Sequence, residues 1–275
     1  EHYDSRVMTK LVKNYRSHPA ILKIPNERFY DGDLLASADT FTINSLTNWE
    51  HLPKKGFPII FHGVQGKDER EGNSPSWYNS SEAQLVKDYV SLLVAGTRSN
   101  RLKSEEIAVI TPYSKQAQKI RRLLKANDYD DIKVGSVDEF QGSERRVIII
   151  STVRSTVEYM DYDNRYQLGF LSNAKRFNVA ITRAKALLIV IGNPLVLECD
   201  DDWNAFVRHV IDHGGYTGCD FQTGRNEGNN YDTGIENAMK GISGMSLHPE
   251  DEDDDEYGMI SQTTAQEGPM WRTEE

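Results

Sequence analysis

The 275-residue chain reads as an α/β protein built on a doubly wound, mostly parallel sheet and followed by an acidic tail. Three observations predict this. Short aliphatic runs alternate with amphipathic helical stretches, the rhythm of strands joined by crossover helices. The runs at 147–153 and 186–191 are apolar at almost every position, as strands buried on both faces must be. Periodicity then stops at Gln222, and the last 54 residues carry 13 acidic and 3 basic side chains, with seven consecutive acids from Glu250 to Glu256. Such a composition cannot bury enough apolar surface to offset the entropy of ordering, so 1–221 is expected to be the folded lobe and 222–275 a disordered tail.

Taken in order, Pro58 to Phe61 is the first strand of the sheet. A helix follows, with Asn79, Ser80 or Ser81 as its cap, Glu82 in its first turn, and Leu85, Val86, Tyr89, Leu92 and Leu93 at three-and-four spacing. Ile107 to Thr111 is the next strand. Ser114 can cap a helix that turns Ala117, Ile120, Leu123 and Leu124 inward and Lys115, Lys119, Arg121 and Arg122 outward. Strands at Ile132 to Val137 and Val147 to Val153 come next, then a helix at Ser172 to Thr182. Ala186 to Ile191 is the last core strand, ended by Gly192, Asn193 and Pro194, and a helix from Trp203 to Ile211 closes the lobe at Gly214 and Gly215. Ligands of such a sheet bind beyond the carboxyl ends of its strands. That expectation places Tyr113, the 138–145 loop, the loop at Arg154 and Asn193 along one edge.

Composition excludes several classes. The formal charge of −10 argues against a nucleic-acid binder, yet the tail carries all of it, and residues 1–221 balance 29 basic against 29 acidic side chains. Local basic grooves therefore remain possible on the body. Cys199 and Cys219 lack any metal-ligand spacing, so a zinc ribbon or disulfide scaffold is excluded and a reducing, cytoplasmic compartment is expected. No apolar run approaches the ~20 residues that span a bilayer. The opening Glu1-His2-Tyr3 has neither a basic nor an apolar leader region, and the chain is expected to be a piece of something longer.

Three segments carry chemistry. In Asn14-Tyr15-Arg16-Ser17-His18-Pro19, an arginine stands beside an aromatic that can stack on a base; alone, such a pair is more often surface packing. In Val137-Asp138-Glu139-Phe140-Gln141-Gly142-Ser143-Glu144, Gly142 permits a sharp turn while Gln141 and Glu144 offer acceptors for sugar hydroxyls or water; an ordinary acidic turn would look the same. In Phe177-Asn178-Val179-Ala180-Ile181-Thr182-Arg183-Ala184-Lys185, Arg183 sits at a helix end, where it can meet the last carbonyls or reach a phosphate.

In this order and on this sheet, the three segments resemble the second RecA-like lobe of superfamily-1 helicases, in the Upf-like branch. The resemblance covers roughly residues 6–215. Leu11 to Ala20, Leu52 to Gly63, Ser74-Pro75-Ser76-Trp77 and Leu168 to Asn173 look most like the Armitage, SDE and MOV type of RNA-silencing helicase. It implies that Tyr15 stacks on adenine, that Arg16 contacts the γ-phosphate, that Glu144 holds the ribose, that Arg183 is an arginine finger, and that Gln141 couples the phosphates to bound nucleic acid. Thr111, Pro112 and Tyr113 match the motif that meets the nucleic-acid backbone, with Ser136, Thr152, Arg154 and Asn178 as further contacts. An arginine's planar fork suits this chemistry, because phosphoryl transfer is mostly positioning and charge stabilisation.

The phosphate-cradling loop Gly-x-x-x-x-Gly-Lys-[Ser/Thr] does not occur. Gly63 to Lys67 has the wrong spacing, and no Asp-Glu pair ends a strand. The resemblance puts both on a first lobe before Glu1, together with the ligands of Mg²⁺, so the chain is expected to hold one wall of an ATP site and to be inactive alone. The implied partners are single-stranded RNA, that first lobe, and Argonaute-type silencing or RNA-decay factors, in the cytoplasm or its ribonucleoprotein granules, with no membrane. A lobe of the Dna-two or Sen type acting on DNA, or a non-catalytic interaction module, are the alternatives.

Overall fold

The computed structural model describes residues 11–72, 74, 76–96, 101–155 and 173–221. The expectations for Pro75, Leu168 to Ser172 and the tail from Gln222 lie outside the described residues. Along the chain run β1 (Lys13–Asn14), α1 (Pro19–Phe29), β2 (Leu35–Ala36), α2 (Thr40–Ile43), β3 (Ile59–Gly63), β4 (Glu69–Arg70), β5 (Trp77–Tyr78), α3 (Ser80–Ala95), β6 (Ile107–Ile110) and α4 (Ser114–Lys125). They are followed by β7 (Lys133–Gly135), β8 (Arg145–Ser151), α5 (Ala174–Ile181), β9 (Ala184–Gly192), α6 (Pro194–Leu197), α7 (Asp201–Asp212) and β10 (Tyr216–Gly218).

The central sheet has the order β10-β3-β9-β8-β6-β7, and every neighbouring pair in it is parallel. Alternation along each strand fills two separate layers. Ile59, Phe61, Ile110, Ile148, Ile150, Leu188 and Val190 pack under α1, α5 and α7 through Ile21, Phe177, Trp203 and Phe206. Ile60, Val109, Val147, Ile149, Leu187, Ile189 and Ile191 face α3 and α4 through Val86, Val90, Ala117 and Ile120. The doubly wound sheet predicted from the apolar runs is the observed one.

Several local expectations are corrected. The cap of α3 is Asn79, whose side chain accepts from the Glu82 backbone N–H. α4 is capped by Tyr113 without a side-chain bond, and Ser114 is its first helical residue. β9 is not the last strand, because β10 adds to the edge beside β3. There Gly218 has φ +102°, and a Cβ would lie 2.2 Å from the Gly63 carbonyl oxygen, so only glycine fits. β4 and β5 form an unpredicted antiparallel hairpin. The loop between β7 and β8 does not stay at one edge: Ser136 follows the carboxyl end of β7, whereas Glu144 precedes Arg145, which pairs in register with Ala184 at the start of β9. Glu144 and Arg183 therefore stand at the amino ends of β8 and β9, and for Glu144 this is opposite the edge expected of its loop.

Candidate nucleotide and nucleic-acid sites

At that amino edge the three chemical segments converge. The turn Asn14 to His18 is shaped by its own polar groups: Asn14 Oδ1 accepts from the backbone N–H of Arg16 (2.9 Å) and of Ser17 (3.0 Å). The His18 N–H donates to the Lys185 carbonyl (2.9 Å), pinning the turn to the start of β9. Tyr15 is left 70% exposed, a free aromatic face. Arg16 Nε donates to Glu144 Oε2 (2.6 Å) and its Nη1 to the Thr182 carbonyl (3.3 Å). Lys185 Nζ lies 2.6 Å from the other Glu144 oxygen. Arg183 donates through Nε to the Val179 carbonyl (3.0 Å) and through Nη1 to the Ser143 carbonyl (3.4 Å). Gln141 is exposed on the approach to Ser143, next to Gly142 at φ +80°.

Three cations thus gather around one carboxylate. The hydrogen bond from Lys185, reinforced by that from Arg16, holds the Glu144 carboxyl below its ordinary value. Burial pulls the Arg183 guanidinium below its ordinary value, and the like charge of Arg16 pulls the same way against Glu144 and Tyr30. Three cations around a single carboxylate gain from an added anion, which fits the residues to a nucleotide's phosphates. Lys185 was missed as a site residue. Its spacing from Glu144 is invisible locally, because the two meet only through the register of β8 with β9.

The carboxyl edge looks different. Thr111, Pro112 and Tyr113 follow β6 there, but all three are buried, and the Thr111 hydroxyl has no hydrogen-bond partner among the described residues. Trp77 of the hairpin packs on Tyr113 and Val153. Four residues expected to meet the strand have partners within the lobe. Arg154 is 1% exposed, pairs with Asp68 (2.7 Å) and lies 4.5 Å from the Trp77 ring centroid, so it fastens the hairpin to the sheet. Thr152 is fully buried and donates to the Ile191 carbonyl (3.2 Å). Ser136 is spent on its own turn, its hydroxyl accepting from the Glu139 N–H (3.4 Å). Asn178 belongs to the other edge, one turn before Thr182, with its amide donating to the Tyr30 hydroxyl (3.4 Å).

Beneath this edge runs a buried polar network. Glu82 Oε2 accepts from the Ser151 hydroxyl (2.7 Å) and from the Val153 N–H (2.9 Å). Val153 is held at φ +74°, a costly conformation for a β-branched residue. Asn79 and Gln116 complete the network through Ser155, Val153 and Ser151. Burial pushes the Glu82 carboxyl up to about 8 against the pull of these donors.

Comparison with known proteins bears on both edges. A family model described as an AAA domain matches residues 1–195. The RNA helicase Mov10l1 of Homo sapiens is 58% identical over 214 residues, covering 78% of this chain and 18% of that protein. Mov10l1 of Mus musculus is 55% identical over 218 residues, 79% of this chain and 18% of that protein. The regulator of nonsense transcripts 1 homolog of Drosophila melanogaster is 35% identical over 212 residues, 74% of this chain and 17% of that protein. The chain spans about a fifth of the length of the curated relatives it matches.

Proposed function

The chain belongs to the Upf-like superfamily-1 RNA helicases, and from that premise we propose that it is the second motor lobe of an ATP-dependent RNA helicase. One observation carries the reading: Arg16, Arg183 and Lys185 surround a single carboxylate at the amino ends of β8 and β9. In this reading Tyr15 stacks on the base, Arg16 and Arg183 meet the phosphates, and Glu144 turns to the ribose once a phosphate relieves it of Arg16. Gln141 lies beside them as the link to bound RNA. ATP with Mg²⁺ supplies the phosphoryl group and its charge; the metal's ligands and the phosphate cradle belong to a first lobe. The RNA strand crosses the carboxyl edge over the turn whose buried base is Thr111, Pro112 and Tyr113. The relatives' names favour RNA over DNA, and a place in RNA silencing or decay, with its Argonaute-type or decay-factor partners in the cytoplasm, rests on the same likeness.

In the protein completed by its first lobe, Arg183→Ala is expected to lower RNA-stimulated ATP turnover by ~10³-fold or more, and Arg183→Lys to rescue little of it. RNA affinity measured without nucleotide stays within a factor of a few. Turnover near wild type in Arg183→Ala would overturn the assignment, and intact RNA-regulatory function with that variant would favour a non-catalytic interaction module.

A further inference from the structure

α4 carries Lys115, Lys119, Arg121, Arg122 and Lys125 and no acidic residue. At about 100° per residue, Lys115, Lys119 and Arg122 fall within roughly 60° of one another, on the side opposite the buried Ala117, Ile120 and Leu124. Lys115 stands in the first turn, where a cation opposes the helix dipole, so helix stability does not account for it. Aromatic side chains lie beside the stripe. The Lys119 ammonium sits 3.9 Å from the centroid of the half-buried Tyr78 ring, whereas Trp77, with Arg70 5.1 Å from its centroid, is itself buried. Among the described residues two carboxylates lie by the stripe: Glu69 accepts from the Tyr78 hydroxyl (3.2 Å), and Glu71 faces the cations directly. Glu71, on the hairpin, pairs with Lys115 at 2.9 Å, and the charges of Lys119 and Arg122 also bear on it, holding its carboxyl below the ordinary value.

We propose that this stripe is a second strand-binding track, on which single-stranded RNA continues from the Tyr113 edge with its phosphates on Lys115, Lys119 and Arg122, displacing Glu71. The proposal rests on the reading of the chain as a nucleic-acid lobe and extends it to a surface that none of the three motifs includes. Basic side chains beside an accessible aromatic ring suit a strand, whose phosphates and bases alternate, better than an acidic peptide, which offers charge alone.

The test measures binding of the 275-residue chain to an oligouridine of about 20 nucleotides across a salt series, with thermal melts to check folding. Lys119→Glu/Arg122→Glu is expected to lower affinity ~10-fold or more and to flatten the slope of log K against log salt by about 1.4, the value for two phosphate contacts on a single strand. Lys119→Ala/Arg122→Ala gives the same flattening without a reversed charge. Glu71→Gln is expected to raise affinity about 3-fold, because the competing carboxylate is gone. If wild type binds RNA with a salt slope that none of these variants moves, the track is overturned while the lobe's reading stands. If wild type shows no salt-dependent RNA binding, the reading and the track fall together. If the reversals abolish binding of an oligoglutamate peptide but leave RNA untouched, the stripe serves an acidic protein partner and the track is overturned.

Discussion

Arg154 and Arg183 look alike in the sequence, each an arginine at the border of a strand, and their surroundings separate them. Arg183 has neighbours whose charges are unbalanced, whereas Arg154 is matched to Asp68 with side chains 2% and 0% exposed. Removing one member of such a pair strands a buried charge. Arg154→Ala is therefore expected to destabilise the fold by about 3–5 kcal/mol in urea denaturation. A variant of wild-type stability with weakened RNA binding would instead return Arg154 to the surface role its position in the sequence suggested. The pair of Arg16 with Glu144 is a contrast, since side chains 24% and 39% exposed are screened and contribute only ~0–1 kcal/mol. Tyr15, Arg16, Glu144 and Arg183 were legible as a set through their motifs. Lys185, Asp68 and Trp77 were not, because each acquires its partner from a segment far away in the chain.

The strands at Ile107, Val147 and Ala186 announce themselves as elements because burial on both faces leaves no polar position. β10 and the β4–β5 hairpin do not, being two or three residues long and defined by what they lie against. The N-terminus of α3 shows how an element reaches beyond itself: Glu82, in its first turn, holds the strained turn at Val153. A carboxyl raised from 4.5 to about 8 in the folded chain binds a proton that the unfolded chain has already lost between those values. Stability from that proton is complete below pH 4.5 and is lost as pH rises through about 8. Glu82→Gln cannot titrate. The wild-type melting temperature, followed from pH 5 to 9, is expected to decline relative to Glu82→Gln, and parallel profiles would show that the carboxyl is already ionised when buried. Glu82→Ala, which leaves the Ser151 hydroxyl and the Val153 N–H without their acceptor, costs about 2–3 kcal/mol relative to Glu82→Gln at every pH.

Across the whole lobe the two sites stand at opposite ends of the same strand. Glu144 precedes β8 and the Val153 turn follows it, and the seven residues of the strand between them span roughly 23 Å at about 3.3 Å per residue. Any signal between nucleotide and strand has to travel through a sheet packed on both faces, which moves as one body more readily than it bends. In the proposed reading such a lobe responds by shifting against a second lobe, and the cation cluster would be half of an enclosure for the same reason, offering charge to phosphates where the sequence supplies no Gly-x-x-x-x-Gly-Lys loop. With no Gly-x-x-x-x-Gly-Lys loop in the sequence, the 275-residue chain alone is expected to release phosphate from ATP at background rate, with or without RNA. Supplying the first lobe in one polypeptide is expected to bring turnover that depends on Arg183. Phosphate release by the isolated chain that Arg183→Ala abolishes would mean that the cluster binds and activates ATP without a second wall.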